Sequence, residues 1–263
     1  PYWDETLSAA KVTAKVLAGK LHGAYSHARN FIYDEEAKAP YLCVAEFRGG
    51  CLLTTDQMAV SIVKVEGMDG SELRVHGKDL NNLLHFLSAD PASEIEIREG
   101  DRASFFLRSD GVVFGATRPV AVFPKITVSW DVKDDYSYEV FREELAGNIA
   151  FLSAGARWDD STVRLKPSAD GKSLSMSMQS VGGKPISQRL PVQAYVAAEA
   201  PLALPEDGFP ISHPYLTRTL AHHSSTSAKL GVTRKNAGGW VRVTDVRDGD
   251  TYLTTIAWIK KSV

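Results

Sequence analysis

The strongest constraint on the fold of this chain is an internal repeat of a leucine-containing helical segment. The two copies are "HGKDLNNLLHFL" (76–87) and "HPYLTRTLAHH" (213–223). They align with an offset of 136 residues, which is the separation of Leu80 and Leu216. A repeat at this distance indicates two copies of one structural unit.

The same offset carries "ETLSAAKVTAKVLAG" (5–19) onto "FREELAGNIAFLSAG" (141–155), and both segments are predicted to be helices. Each half of the chain then reads helix, strands, helix, strands. The predicted fold class is α+β, with tandem duplicated domains that each pack two helices on antiparallel sheets. The predicted domains are 1–126 and 140–263, joined by a linker at 127–139 that contains a cluster of charges.

Strands are predicted where apolar and polar residues alternate, where β-branched residues are frequent, and where glycine and aspartate turns separate the runs. In the first half these segments are 41–56, 59–67, 93–99, 102–109 and 111–118. In the second half they are 161–180, 188–198, 227–235, 239–246 and 251–261.

The leucine helix of the first half is predicted to have one apolar and one polar side. Its leucines recur at the spacing of a single helix face, so they form a stripe that needs a partner surface. The opposite side carries Lys78, Asn81, Asn82 and His85. By the same reasoning, the polar residues that face outward on the other predicted helices are Lys11, Lys15, Arg142, Thr217, Arg218 and His222.

A polar helix face is usually only a solvated surface, and a few lysines do not establish a ligand. The third predicted helix favours that plainer interpretation, because its outward side carries Glu143 and Glu144. The whole chain has 30 basic and 32 acidic residues and a formal net charge of −2. Any contact with nucleic acid is therefore predicted to be confined to one face, since proteins that bind it over a broad surface are usually basic.

The sequence indicates an intracellular protein without obvious reactive chemistry. It contains no apolar run near the roughly 20 residues that span a bilayer, and its first residues do not resemble a signal peptide. Cys43 and Cys51 are interpreted as reduced thiols beside a hairpin turn at Gly49 and Gly50. We therefore expect a cytoplasmic location, either in a bacterium or in an infected host cell.

Catalytic and metal-binding patterns are not evident in the sequence. It has no glycine-rich phosphate loop and no Cys/His cluster with metal-ligand spacing. The acidic doublets at 134–135 and 159–160 are interpreted as solvated turns, and the adjacent His222 and His223 point apart on a helix. The prediction is a protein that is not an enzyme and that needs no cofactor or metal.

The repeated plan, together with several motifs, resembles the DNA sliding clamp (polymerase processivity factor) family. "YLCVAEFRGGCLLTTDQMAVSI" (41–62) is similar to a clamp strand pair that ends in an Ala-Thr-Asp-Gly turn, with Gln57 in place of the glycine. "VHGKDLNNLLHFL" (75–87) resembles the second helix of a clamp domain. "FPISHPYLTRTL" (209–220) resembles the same helix in a final clamp domain.

The resemblance implies a ring of six domains around duplex DNA. Bacterial clamps place three domains in each of two subunits, whereas eukaryotic, archaeal and many phage clamps place two in each of three. Two halves in this chain therefore imply a homotrimer, possessing twelve helices whose polar sides line the hole. Loose, sequence-independent contacts with phosphates suit a ring that slides.

The resemblance also implies partners that dock by short peptides with apolar anchors, such as a DNA polymerase and a clamp loader. The pocket is expected between the linker and the last strand, at Val128, Trp130, Ile256, Trp258 and Ile259. The plainer interpretation is that these residues belong to a core. An alternative function is a clamp-like accessory or decoy protein, which would bind clamp partners without encircling DNA; the acidic third helix favours it.

Overall fold

The computed structural model describes residues 2–33, 39–124, 133–235, 238–247 and 249–258. These residues form an α+β protein that divides into two compact units. The first unit comprises Pro1–Thr127 together with Arg247–Tyr252, and the second comprises Val128–Val246 together with Leu253–Val263. The short segment at 247–252 thus clusters with the first unit, although it lies within the predicted second domain.

The elements of the first unit begin with a short helix, a strand and a longer helix. In chain order they are α1 (Tyr2–Ala9), β1 (Lys11–Leu17), α2 (Ala18–Ala28), β2 (Val44–Arg48), β3 (Cys51–Thr55), β4 (Ala59–Lys64), β5 (Arg74–His76), α3 (Leu80–Ser88), β6 (Glu94–Glu99), β7 (Ala103–Arg108) and β8 (Val113–Thr117).

The second unit starts directly with a strand. Its elements are β9 (Tyr136–Phe141), α4 (Arg142–Gly155), β10 (Thr162–Pro167), β11 (Ser173–Gln179), β12 (Pro185–Pro191), β13 (Ala194–Ala197), β14 (Phe209–Ser212), α5 (His213–Ala221), β15 (Ser227–Lys235) and β16 (Gly238–Arg247). Strand β17 (Asp250–Ala257) follows, and its residues are divided between the two units.

Each unit contains two groups of antiparallel strands. In the first unit the strand orders are β1-β6-β7-β8 and β5-β2-β3-β4. In the second unit they are β12-β11-β10-β14 and β13-β9-β15-β16. The fold class predicted from the sequence is therefore confirmed.

The predicted leucine stripe is the centre of the core in the first unit. Leu80, Leu83 and Leu87 of α3 are fully buried, whereas Leu84 is only half-buried. They pack with α2 and with apolar residues of both strand groups. Burial of one leucine side chain contributes about 2 kcal/mol, so this stripe fixes how α3 sits on its sheets.

The predicted helix at 5–19 is wrong. Helix α1 ends at Ala9, the chain continues as strand β1, and a separate helix α2 follows. Strand β1 buries Ala14 and Val16 on one side and exposes its alternate residues, as its period of two dictates. Its partner is β6, about 80 residues further along, and this pairing outweighs the local pattern that suggested a helix.

The internal repeat consequently has two offsets. The strand–helix pair β1–α2 corresponds to β9–α4 with an offset of 124 residues, as the boundaries Ala18 and Arg142 show. The buried positions agree with this alignment: they are Leu21 and Leu145, Tyr25 and Ile149, and Ala28 and Leu152. The offset of 136 residues holds for α3 and α5, where Leu80 and Leu216 are both fully buried. The intervening loops therefore differ in length between the two units.

Two turns in the first unit contain residues with a positive φ. Gly49 and Gly50 connect β2 to β3 with φ values of 56° and 76°, which suits a tight hairpin. Cys43 and Cys51 near this hairpin are buried thiols and are not joined in a disulfide. Gln57, in the turn after β3, has a φ of 78°, a left-handed conformation that usually favours glycine.

Further elements of the two units are helix α1 in the first and strand β13 in the second. In the first unit, Leu7 of α1 packs near Ala103 and Phe105 on a small apolar cluster. In the second unit, β13 pairs with β9 and adds a strand outside it, whereas β1, the counterpart of β9 in the first unit, is the last strand of its sheet. None of the helices in the described part of the chain has the length and apolar character needed to cross a membrane.

Candidate functional site

The exposed side of α3 carries the polar residues predicted for it. Asn81, Asn82 and His85 are exposed, and Lys78 is exposed in the turn of 3-10 helix that precedes α3. The buried leucines on the opposite side hold this face outward. These four residues therefore form one polar, weakly cationic surface, which is called the α3 face below.

Lys11 and Lys15 lie on β1 rather than on a helix, so the predicted location of both residues is wrong. Both are exposed, but Lys15 pairs with Glu96 at 3.4 Å and with Glu94 at 3.9 Å. Hydrogen bonds from Arg98 and then from Lys15 lower the pKa of Glu96. Lys15 thus sits beside carboxylates at the edge of a sheet, a poor setting for binding phosphates.

Helix α2 takes the place of the helix predicted at 5–19, and its polar residues were not among those predicted from the sequence. Lys20, His22 and Ser26 are half-buried on α2, and Arg29 follows its last residue. The Lys20 ammonium donates to Glu66 at 3.1 Å, so part of its charge is compensated. The alternation at 11–17 is the signal that would have placed the helix correctly.

Arg142 has a structural position. It is the first residue of α4, and its Nη1 donates to the backbone oxygen of His223 at 3.0 Å, just after α5. Its Nη2 lies 3.4 Å from Glu143, whose side chain is 87% exposed. The guanidinium therefore joins the beginning of α4 to the end of α5 and is only half-exposed.

The outward side of α5 retains two of its three predicted residues. Thr217 and Arg218 are exposed, and the Arg218 guanidinium lies 5.3 Å from the centre of the Tyr215 ring. His222 is half-buried at the C-terminal cap of α5. Ser212 is the N-cap residue of α5 and Pro214 lies in the first turn, but the Ser212 side chain accepts no capping hydrogen bond.

The charges on these helices differ between the two units. The first unit presents Lys78 just before α3 and His85 on α3, and α3 carries no exposed carboxylate. The second presents Arg218 on α5 and the exposed Glu143 and Glu144 in the first turn of α4. Acidic residues stabilise the N-terminus of α4 through its dipole, which gives them a structural role of their own.

The residues predicted for the partner pocket that the structure describes do not form an accessible pocket. Ile256 is fully buried, and Trp258 is 8% exposed and stacks on Phe209 with 6.2 Å between ring centres. Both residues therefore belong to the core of the second unit, as the plainer interpretation held. Val128, Trp130 and Ile259 lie outside the described residues.

An open groove in the same unit has the apolar character expected of a peptide site. It has a volume of about 430 Å³ and is called the aromatic groove below. Its lining residues are Tyr136, Tyr138, Lys166, Pro167, Ser168, Tyr195, Leu204, Pro205 and Glu206. Tyr138 stacks between Tyr136 and Tyr195, at 6.4 Å and 5.3 Å, and burial raises the pKa of both Tyr136 and Tyr138.

Strands β8 and β12 each end a sheet and lie near exposed apolar side chains. Strand β8 ends one sheet of the first unit, near the exposed Val112 and Val113. Strand β12 ends one sheet of the second unit. Close to that sheet, Trp158 is 97% exposed in the loop after α4, and this loop is bridged to the end of β11.

The doublet at 134–135 is engaged within the protein rather than solvated, which corrects that interpretation, whereas Asp159 is exposed in a turn as predicted. Asp134 forms an ion pair with Arg242, and the backbone N–H of Arg234 donates to Asp135 at 2.8 Å. Asp159 pairs with Arg157 at 2.7 Å. Across the described residues, no group of three or more His, Cys, Asp or Glu side chains is placed to hold a metal ion.

Solved structures that share this fold are bacterial DNA sliding clamps, so the chain has the sliding-clamp fold. A DNA polymerase sliding clamp from Pseudomonas aeruginosa matches 95% of this chain and 67% of its own, at 14% identity and a TM-score of 0.75. The DNA polymerase III subunit beta of Bartonella birtlesii, solved with griselimycin, matches 96% and 68%, at 17% identity and a TM-score of 0.75.

A sliding clamp from Bacillus subtilis gives the same picture, with 16% identity, a TM-score of 0.72, and coverage of 94% of this chain and 64% of that one. The chain thus spans about two thirds of the length of the clamps that it matches. No protein-family model matches the sequence, and no curated protein matches it. At these identities, the likeness establishes the fold alone.

Proposed function

We propose that this protein is a DNA sliding clamp, a non-enzymatic ring that encircles duplex DNA and tethers a replicative polymerase. The observation that carries the proposal is the match of 95% of the chain to a bacterial sliding clamp with a TM-score of 0.75. The agreement covers both units rather than one. A clamp of this kind would act in the cytoplasm of a bacterium or of an infected host cell.

The proposed ring contains three copies of the chain. A ring of six modules requires three copies of a polypeptide that supplies two. Strands β8 and β12 support head-to-tail assembly, because a strand at the end of a sheet offers backbone groups to a neighbour. Pairing of β8 in one copy with β12 in the next would close into a ring when the rotation permits it.

The DNA-contacting surface is proposed to be the exposed helix faces. In the first unit it comprises the α3 face, and in the second it comprises Thr217 and Arg218 of α5. Amides, hydroxyls and a few cations would contact phosphates without reading sequence. Lys11 and Lys15 are left out because they lie on strand β1 rather than on a helix, and Arg142 is left out because it binds the backbone of His223.

Partner peptides are proposed to dock in the aromatic groove instead of at Ile256 and Trp258. The groove is open, and its tyrosine, leucine and proline side chains offer surfaces for apolar anchors. The partners would be a DNA polymerase and a clamp loader.

A topological experiment tests encirclement without a loader. Subunits are mixed with a nicked circular plasmid, cross-linked, and washed at high salt. Cross-linked rings should stay on the circle and should leave when a restriction enzyme makes it linear. Retention that is the same on linear and circular DNA would contradict encirclement. Mass measurement by light scattering should give three times the mass of the single chain, which is 28.7 kDa.

Charge variants test whether association with DNA depends on the cations of the exposed helix faces or only on the net charge of the protein. Lys78→Ala combined with Arg218→Ala should weaken the salt-sensitive association of the uncross-linked protein with DNA. The matched control is Lys172→Ala combined with Lys184→Ala, two exposed cations in turns of the second unit. The control removes the same charge and should leave association unchanged.

A clamp-like accessory protein is the second candidate, and the acidic first turn of α4 favours it. Glu143 is 87% exposed, and Glu144 is exposed beside it, so both would repel phosphates on a helix proposed to face DNA. Such a protein would bind partner peptides, would fail the plasmid-retention test, and would be indifferent to the loss of Lys78 and Arg218.

A further inference from the structure

A second groove lies next to the aromatic groove on the second unit, and the two share Lys166, Pro167 and Ser168. It has a volume of about 440 Å³ and is called the serine–arginine trough below. Its remaining lining residues are Ser173, Ser175, Ser187, Gln188 and Arg189. The two grooves therefore form one continuous track, which is largely aromatic on one side of Lys166 and polar and cationic on the other.

The strand register brings the polar side chains of the trough together. Lys166 of β10 is opposite Ser175 of β11, which is in turn opposite Arg189 of β12. Adjacent strands lie about 4.8 Å apart, so these three side chains form a row roughly 10 Å long across the sheet. All three are exposed, while the alternate residues Leu174 and Leu190 are buried on the other side.

The trough is rich in donors and carries no acid. None of its lining residues is a carboxylate, whereas Lys166 and Arg189 are cations. The Arg189 Nε donates to the buried Ser173 at 2.9 Å, which holds the guanidinium against the sheet. Within the described part of the chain, no hydrogen bond or ion pair engages the Lys166 ammonium or the hydroxyls of Ser175 and Ser187.

Two carboxylates of this unit, those of Asp207 and Asp170, bind other groups. Arg164 donates to Asp207 at 2.7 Å, and Ser168 donates to Asp170 at 2.6 Å. The hydrogen bond from Ser168 lowers the pKa of Asp170, which stays ionised and bound in its own turn. Among the described residues, no ion pair engages Lys166 or Arg189, so both cations are available to a ligand.

Two kinds of polymer, a single-stranded nucleic acid and a peptide, could fill the track, and its lining residues favour one of them. A single strand of nucleic acid carries a phosphate at every residue, so it would bring phosphates against Glu206 in the aromatic groove. A peptide can instead place apolar side chains in the aromatic groove and carboxylates in the trough. The position of Glu206 at the apolar end therefore favours the peptide.

We propose that partner peptides of this protein carry a short acidic stretch beside their apolar anchors, and that the serine–arginine trough binds it. The inference rests on the proposed docking function of the aromatic groove. Lys166 and Arg189 supply the charge, Ser175 and Ser187 supply hydroxyl donors, and Ser173 orients Arg189. Hydrogen bonds from cations to carboxylates are the stronger kind, although exposure of these residues reduces their contribution.

Selection from a random dodecapeptide phage library on the intact protein tests the proposal and requires no identified partner. Peptides selected by the wild type should combine apolar anchors with clustered Asp or Glu. Selection on the Lys166→Ala, Arg189→Ala double variant should retain the anchors and lose the acidic enrichment. The control variant, Lys172→Ala with Lys184→Ala, has the same net charge and should select the same peptides as the wild type.

A synthetic peptide from the selection and its Asn/Gln counterpart then give the magnitude by fluorescence anisotropy. The acidic peptide should bind the wild type about tenfold more tightly than its neutral counterpart, a difference of roughly 1.4 kcal/mol. The double variant should bind the two peptides equally. The advantage of the acidic peptide should shrink as salt is raised.

The remaining outcomes show whether the trough assignment or the docking function of the aromatic groove is wrong. Apolar anchors without acidic enrichment would overturn the trough assignment and leave the docking function intact. Absence of any anchor enrichment would contradict the aromatic groove itself, and the trough assignment would be overturned with it. Binding of the oligonucleotide dT12 that the double variant abolishes would overturn the peptide assignment in favour of nucleic acid.

Discussion

The backbone N–H of Phe123 donates to Glu46 Oε2 at 2.7 Å, and both groups are buried. Arg48 Nη2 donates to the backbone oxygen of Phe123 at 2.9 Å and to Glu46 Oε1 at 2.6 Å. The two charged side chains therefore bind both backbone groups of one residue. Since the Phe123 ring is also buried, this pair fixes the chain shortly before the segment that connects the two units.

Loss of the Glu46 carboxylate is expected to be costly. It would leave Phe123 without its acceptor and would remove the partner of Arg48 and of Arg74, whose Nε lies 3.5 Å away. We expect Glu46→Ala to lower the free energy of unfolding by about 3 kcal/mol, measured by urea denaturation. Asp110→Ala, which breaks an exposed pair with Arg108, should cost much less, because solvent screens that pair. Equal losses in the two variants would argue against the buried anchor.

The turn after β3 offers a stabilising substitution. Gln57 is exposed and has a φ of 78°, where a side chain is strained and glycine is not. The surrounding bonds involve Thr55, Asp56 and the backbone of Gln57, so they survive loss of its side chain. Gln57→Gly should therefore raise the free energy of unfolding by about 1 kcal/mol.

The neighbouring residue supplies the comparison for that measurement. Met58 is exposed in the same turn but has no positive φ. Met58→Gly should be neutral or destabilising, because it adds freedom to the unfolded chain without relieving strain. A Gln57→Gly variant that loses stability to the same extent would mean that the turn is not strained.

His213 at the beginning of α5 gives a pH dependence with a defined sign. Burial lowers its pKa below the ordinary value of about 6.5, with Asp160 opposing the shift. The unfolded chain then binds a proton that the folded chain resists, so His213 destabilises the fold as the pH falls below about 6.5. His213→Gln should gain stability relative to the wild type between neutral pH and pH values near 5. A difference between the two proteins that does not vary with pH would contradict this assignment.

The parts of the fold that the sequence predicted are those that depend on local periodicity. The leucines of α3 recur every three or four residues, and a helix is the conformation that places them on one face. The hairpin at Gly49 and Gly50 is equally local, because glycine is favoured at positive φ. Such features need no information from distant segments.

The features that the sequence did not predict depend on contacts between distant residues. The segment at 11–17 carries apolar residues that fit either a helix face or a strand, and the distinction is made by β6, where Val16 pairs with Ile95. Trp258 could bind a ligand or belong to the core, and it belongs to the core because its ring stacks on Phe209, nearly 50 residues earlier. Local patterns do not contain these partners.

Arg142 and Arg218 are expected to behave oppositely when each is replaced, although both were predicted to face DNA. Arg142 donates to the backbone oxygen of His223, so Arg142→Ala should lower the free energy of unfolding by about 1 kcal/mol. Arg218 is exposed, so Arg218→Ala should change stability little and should weaken salt-sensitive binding to DNA. Denaturation and anisotropy with a labelled duplex separate the two effects, and identical profiles would contradict the structural distinction.

Trp158 is the strongest single test of association between copies. Its side chain is 97% exposed, while the flanking residues Arg157 and Asp159 form an ion pair at 2.7 Å that holds the loop. An indole in water at this position contributes little to the fold of its own unit, whereas tryptophans are frequent among the residues that dominate interfaces. The loop is bridged to the end of β11, and β12, which lies next to β11, ends that sheet.

Trp158→Ala is therefore expected to weaken self-association at least tenfold, measured by sedimentation velocity over a range of concentrations. The free energy of unfolding of the dissociated chain should stay within about 0.5 kcal/mol of the wild type, because the residue is on the surface. Met58→Ala removes another exposed apolar side chain, 40% exposed, and should leave association unchanged. If Trp158→Ala sediments like the wild type at every concentration, the surface around β12 does not join the copies, and ring closure would have to use other strands.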